Sequence, residues 1–293
     1  MALAKSTGED ALETAPREVS TFGLALGNSG VLWGGGLLLV MVLIAAVGPY
    51  LTADPIALNP IQRLKPPSAA LWFGSDFLGR DVFARVVAGA RVSLVVGLAV
   101  AVIAVAIGLV LGMVAGYLRA LDAPIMRVMD GLMSIPGILL AIALVSLSGA
   151  TLMTVIVAII VPEIPRVVRL VRSVVLTVRE EPYVEAAIAA GTRTHLVMIR
   201  HILPNTIAPL IVQATYICGS AMLLEAILGF LGAGIPPEIP SWGNIMSEGR
   251  TYFQISPWII FYPGIALAVT VLAVNIMGDG LRDTLDPRIA RKM

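Results

Sequence analysis

The chain has 293 residues, 58% of them hydrophobic and 13% charged, with a mean hydropathy of +0.91. Soluble domains carry about 25% charged residues, so this composition excludes an ordinary soluble globule, and a net charge of +1 argues against a nucleic-acid partner. The single cysteine, Cys218, lies in an apolar run and excludes an intrachain disulfide or a thiolate metal cluster.

Residues 1–28 mix Lys5, Arg17, Glu9, Asp10, Glu13 and Glu18 and read as a tail before an uncleaved first span. The apolar run that follows is too long for a signal-peptide core. Spanning takes about 20 apolar residues, and 31–51 carry no charge, which places a first span over 29–51. In the 52–91 segment Pro55, Pro60, Pro66 and Pro67 keep the first half extended. Asp81 to Arg91 then predicts an amphipathic helix at the outer interface, with Val82, Val86 and Ala90 on one face. Residues 92–117 predict a second span.

Residues 131–162 are uncharged over a length too great for one span and too short for two. Ser148-Gly149-Ala150 suits a tight turn, and two spans fit if the first begins near Val128 and the second runs to about Arg172. Met133, Ile135, Leu139 and Leu140 read as packing residues. Residues 206–231 predict a fifth span containing Glu225, and 257–278 an uncharged sixth. Between them, Pro236, Pro237, Pro240 and Trp242 mark a second outer loop, and Trp72, Trp242 and Trp258 suit interfacial anchoring.

Six spans divide the basic residues unevenly. The tail, the 118–130 loop, the 163–205 segment and the 281–293 tail together hold 14 of the 20 Lys and Arg. The other side holds six, five of them in 52–91. Positive charge concentrates on the cytoplasmic side, so both ends and the 180–205 insert are predicted to be cytoplasmic, with five spans gathered in 92–280.

That insert is polar and basic. Glu180 and Glu181 precede Pro182, which suits the first position of a helix. A first helix over about Pro182–Ala190 is ended by Gly191 at the position after the cap. Thr194 suits an N-cap for a second helix, His195 to Leu203, and Pro204 is expected to separate it from the fifth span. Val184, Ile188, His195, Met198 and Ile202 form one apolar stripe. A helix resting on the membrane surface would show such a stripe too. A pair of short helices broken at glycine has instead the shape of a knob for a partner's groove.

Glu185-Ala186-Ala187 with Gly191 and Leu203-Pro204 resembles the "EAA loop" of ABC importer permeases. Tyr183-Val-Glu-Ala-Ala187 and Arg200-His201-Ile202-Leu203-Pro204-Asn205 resemble, more narrowly, the C-type subunit of the dipeptide/oligopeptide/nickel permease family. Phe73-Gly-Ser-Asp-Phe-Leu-Gly-Arg-Asp81 with Gly89-Ala-Arg-Val-Ser-Leu94, Leu228-Gly-Phe-Leu-Gly232 with Pro240-Ser-Trp-Gly243, and Asn275-Ile-Met-Gly-Asp-Gly-Leu-Arg-Asp-Thr-Leu-Asp-Pro287 resemble three more of its motifs, in order.

The resemblance implies an all-α membrane protein of the bacterial cytoplasmic (inner) membrane, with six transmembrane helices in the type I ABC importer permease fold and both termini inside. It implies a homologous permease as partner in a heterodimer, two ATPase subunits, and an extracytoplasmic substrate-binding protein delivering peptides or a related small solute. Glu185, Ala186, Ala187, Gly191, His201, Leu203 and Pro204 are then the ATPase-coupling residues. ATP and Mg are expected on the ATPase subunits and no cofactor on this chain, which has no phosphate-binding glycine loop. No catalytic or metal set is expected; His195 and His201 lack companion ligands.

Two acids are candidates for the pathway or its gate. Glu225 lies well inside a span, where a charge is costly and faces the bundle interior or water; its alternative is a structural hydrogen bond. Glu163, between Pro162 and Pro165, is either a pathway contact or a charge near the cytoplasmic end of its span, paired with Arg166 or solvated. An ion-coupled carrier using these acids is the alternative function, and the cytoplasmic knob distinguishes the two.

Overall fold

A computed structural model describes residues 27–285. The helices are α1 (Ser29–Leu51), α2 (Val82–Tyr117), α3 (Arg119–Met133), α4 (Gly137–Ser148), α5 (Leu152–Val178), α6 (Pro182–Ala189), α7 (Thr194–Val197), α8 (Leu203–Phe230), α9 (Trp242–Gly249) and α10 (Trp258–Leu285), with a π-turn at Met198–Ile202. No strand occurs among the described residues; Ser75 and Asp81 make one isolated bridge.

Four helices are long and apolar enough to cross a membrane unaided: α1, α2, α10, and α8 taken together with the turns that lead into it. The α3–α4 pair, bent by 87°, supplies a fifth crossing if read as one broken span. α5 has the length, at 27 residues, but carries Glu163, Arg166, Arg169 and Arg172. Its valine face packs on α2, its most extensive packing partner.

Small residues fix the helix directions. A Cβ on Gly112 would stand 2.6 Å from Val171 Cβ and one on Gly116 2.6 Å from Val175 Cβ, while Gly108 faces Val167. The numbers rise together in steps of four, so α2 and α5 run parallel, with backbones drawn close by glycine as in membrane helix pairs. Ser93 meets Glu225 and, one turn on, Gly97 lies against Cys218 and Met222, so α2 and α8 are antiparallel. Gly278 against Thr215 does the same for α10 and α8, and Gly30 and Gly34 against Gly280 and Met277 for α10 and α1. The start of α1 and the ends of α2, α5 and α10 therefore share one end of the bundle. Of the 14 basic residues assigned to that side, Lys5, Arg17, Arg288, Arg291 and Lys292 lie outside the described residues.

The opposite end carries a folded cap. The helix expected over 81–91 forms the first turns of α2, which runs unbroken from Val82 into the second span, capped by Asp81, whose side chain accepts from Phe83 N at 2.9 Å. No proline interrupts it. Val82, Ala84, Arg85, Val86, Val87 and Ala90 are all buried, because residues 52–81 and α9 pack on this stretch together with α1 and α8.

The cap explains one of the sequence motifs residue by residue. Gly74 and Gly79 adopt positive φ, and a side chain on Gly79 would strike the Asn59 carbonyl. Asp76 accepts from Leu78 N and Arg80 N at 2.8 and 2.9 Å and pairs with Arg80 and Arg85. Glu248 of α9 closes the cluster by pairing with both arginines. Phe73 stacks on Tyr262 at 3.9 Å between centroids. Trp242, expected at the interface, is fully buried and donates from Nε1 to the Val86 carbonyl at 3.0 Å. A fused indole this large stabilises the cap by burial, and its N–H needs the internal acceptor. Trp72 remains exposed.

The third span also departs from expectation. It does not run straight from Val128. α3 ends at Met133, where the Ser134 hydroxyl donates to the Gly131 carbonyl at 2.7 Å, and Pro136 prevents the helix from continuing. α4 is only 12 residues long. The turn after it falls at Ser148-Gly149-Ala150 as anticipated, with Gly149 at φ 82°, and a Thr151–Thr154 capping box opens α5.

Candidate functional site

Two regions carry the candidate residues. The first is the polar insert. Pro182 opens α6 at its first turn and Gly191 closes it at φ 79°. Thr192 N donates to the Ala187 carbonyl at 3.1 Å and Gly191 N to that of Ile188 at 2.9 Å, a Schellman motif. The second helix differs from its prediction. Arg193, not Thr194, is the cap residue, and it makes no side-chain capping bond.

Pro204 does not separate the insert from the fifth span. The backbone passes from α7 through the π-turn directly into α8, and Leu203 N donates to the Met198 carbonyl. Proline lacks an N–H and crowds the carbonyl four residues earlier. Widening the preceding turn to π geometry accommodates it while the helix continues.

The apolar stripe divides in two. Val184, Val197 and Ile202 are fully buried and join the main core, with Met198 packed beside them. Glu185, Ala186, Ile188, Ala189, Ala190, Gly191 and His195 are exposed, and Ala187 is half-buried. One face thus anchors the insert and the other is left open. His201 and Leu203 are half-buried and Pro204 exposed. Tyr183, His201 and Asn205 tie α6 to α8: Asn205 Nδ2 donates to the Tyr183 hydroxyl at 3.2 Å and to the His201 carbonyl at 2.7 Å. Below the insert, Arg179 at the end of α5 donates to the Gly116 carbonyl of α2 at 3.3 Å.

The second region is polar and lies within the helices. Glu225 of α8 is completely buried and accepts from Ser93 Oγ of α2 at 3.2 Å; its other oxygen has no hydrogen-bond partner. Glu163 lies near the middle of α5, not at its end, and is 6% exposed. Arg166 approaches both of its oxygens at 3.4 Å, and Ser220 Oγ of α8 is at 3.5 Å. Glu163 is therefore buried mid-helix and not a span-end charge, while its pairing with Arg166 is as expected. A cavity of about 400 Å³ adjoins it. Met133 and Ile135, expected to pack, are exposed and line that cavity. Tyr216 and Ser220, which sequence reasoning did not single out, line it as well. The carboxylate between Pro162 and Pro165, with Arg166 nearby, was the sequence signal that pointed to it.

Two ion pairs continue down α5 to α3. Arg169 bonds Asp130 at 2.6 Å, and Arg172 makes a two-pronged contact with Asp122 at 2.5 and 2.6 Å. The Arg172 hydrogen bond, opposed by partial burial, holds the Asp122 carboxyl below its ordinary range. Among the described residues no group of His, Cys, Asp and Glu could hold a metal ion.

Residues 104–291 match the family described as binding-protein-dependent transport system inner membrane component. A Sinorhizobium fredii protein named as a probable peptide ABC transporter permease is 58% identical over 262 residues, 89% of this chain and 90% of that protein. A dipeptide transport system permease protein of Alkalihalophilus pseudofirmus is 45% identical over 258 residues, 87% of this chain and 85% of its own length. A glutathione transport system permease protein of Pectobacterium atrosepticum is 39% identical over 224 residues, covering 76% and 74%. In fold, the chain resembles the inward-facing MetNI methionine ABC transporter with a TM-score of 0.53, at 21% identity, over 70% of this chain and 96% of that one. None of these relatives favours an ion-coupled carrier. The exposed helical knob, the glycine-packed bundle and these relatives converge: the chain belongs to the family of binding-protein-dependent transport system inner membrane components, as a multi-pass permease subunit of an ABC importer that works with ATPase and substrate-binding partners.

Proposed function

We propose that this subunit pairs with a homologous permease to form the pathway for short peptides, that two ATPase subunits bind the two permeases, and that the chain itself is non-catalytic. ATP and Mg are bound by the ATPase subunits; this chain lacks a glycine loop that could cradle phosphates. Short peptides are supported by relatives named for peptide and dipeptide transport.

The division of the insert into a buried face (Val184, Val197, Ile202) and an open face (Glu185, Ala186, Ile188, Ala189) carries the coupling reading. The small open-face residues let a partner's backbone approach closely. Gly191 sets the angle between α6 and α7. The unbroken passage through Leu203 and Pro204 into α8 makes the knob a lever on the span that holds Glu225. Closure of the ATPase pair on ATP would move α8 against α2 and α5, changing access to the pathway past Glu163 and Glu225.

Glu185→Lys and Gly191→Asp test this in the complete transporter. Both are expected to abolish uptake, with weakened ATPase association or ATPase activity no longer raised by the loaded binding protein. Normal uptake by these variants with the ATPases absent would overturn it.

A further inference from the structure

The cavity beside Glu163 lies where two helices break. α3 stops at Met133, α4 starts at Gly137, and α5 passes with Pro162 and Pro165 on either side of the acid. Glu163 is 11 residues into α5, about 17 Å along it at 1.5 Å per residue. An ionisable side chain buried among membrane helices is expensive and marks a function by default.

The Glu163–Arg166 pair is loose. At 3.4 Å to both oxygens it is longer than the 2.5–2.6 Å contacts of Arg172–Asp122 and the 2.6 Å of Arg169–Asp130. Charge-assisted bonds ordinarily close to about 2.7–2.9 Å. α3 aspartates engage Arg169 and Arg172. Arg166 has only Glu163, keeps 46% of its side chain exposed, and rests over the Tyr216 ring with Cζ 5.9 Å from the centroid. The carboxylate is 8% exposed and aimed at the same cavity, with Ser220 beside it. At α4's start, Pro136 caps the helix without a side-chain bond, leaving the positive end of a helix dipole in the cavity wall.

An acid and a base held apart at the edge of a cavity, each with unused hydrogen-bonding capacity, match a solute bearing both charges. We propose that this cavity is a transient binding site for the charged termini of a small zwitterionic peptide, with Glu163 and Ser220 receiving the ammonium group and Arg166 the carboxylate. The volume of about 400 Å³ is within the 300–1,000 Å³ usual for small-molecule sites. The termini of a dipeptide lie at most about 7 Å apart, a span that the half-exposed Arg166 covers by swinging away from Glu163. The loose pair satisfies both charges when the site is empty. This assignment rests on the peptide reading above.

The test uses the full transporter in proteoliposomes, with the partner permease, the ATPases and the binding protein, and dialanine and trialanine as probes. Glu163→Gln and Arg166→Gln are each expected to lower uptake about tenfold. The binding-protein-stimulated ATPase rate and the melting temperature of the complex should stay unchanged, so that fewer peptides move per ATP. Glu163→Asp should retain most uptake. Uptake within twofold of wild type in both Gln variants would overturn the site, as would a loss accompanied by equal losses of ATPase stimulation and melting temperature. If the wild-type transporter takes up neither peptide, the peptide reading falls and this site with it; that failure appears in the wild type, before any variant is compared.

Discussion

Arg85 Nη1 of α2 donates to Asp76 Oδ2 of the 52–81 loop at 2.7 Å, with both side chains almost completely shielded from solvent. Glu248 reaches the same guanidinium from α9, so three separate segments meet at one buried charge. Without Asp76, the two guanidiniums of Arg80 and Arg85 would share the single carboxylate of Glu248, and breaking a buried charge pair costs about 3–5 kcal/mol. Asp76→Ala is therefore expected to lower the melting temperature of the detergent-solubilised complex markedly and to expose residues 52–81 to protease. An unchanged melting temperature would show that the cap does not depend on this cluster.

Gly112→Leu should destabilise by about 1–3 kcal/mol, the range for overpacking, because a Cβ at this position already stands 2.6 Å from Val171 Cβ. Val171→Ala in the same chain should recover part of the loss. A thermal-shift series over the two single variants and the double variant measures the coupling; strict additivity would count against direct α2–α5 contact.

Gly191 has φ 79°, and a Cβ added there would meet no atom within 4 Å. Only backbone strain opposes a side chain there. Gly191→Ala should cost about 1–2 kcal/mol, and Gly191→Asn less, since asparagine tolerates this conformation. Both chains should still insert and assemble, while ATPase stimulation falls further for Ala than for Asn. Equal stimulation in both variants would contradict the hinge role.

Asp122 is held below its ordinary range by Arg172. A depressed carboxyl contributes stability above its unfolded value, near pH 4, and loses it as pH falls through the folded value. Melting curves of the wild-type complex below about pH 4 should therefore drop more steeply with pH than those of Asp122→Asn. Parallel curves would mean that the Arg172 contact does not persist in solution.

The insert was the most legible part of the chain. Proline at a helix start and glycine just past a helix end act through their own backbones, so Pro182 and Gly191 could be placed without knowing any neighbour. Pro204 misled for the same local reason. Its effect on the backbone was real, but a π-turn absorbed it instead of a break. The membrane class and the uncharged, apolar spans at 31–51 and 257–278 were equally plain, because hydropathy sums over a segment regardless of its partners.

What composition and short-range pattern determined, then, is that this chain lives in a membrane, which side bears its positive charge, and that it carries a helical knob broken at Gly191. Only the tertiary structure decided the rest. The first turns of α2 look amphipathic in isolation, yet residues 52–81 and α9 bury them; Trp242 finds its acceptor at Val86, 156 residues away. Glu163 reads as a span-end charge until Arg166, Ser220 and the α3–α4 break assemble around it. Burial and charge pairing are properties of space and not of sequence distance, so a local pattern can name the residue but not what surrounds it.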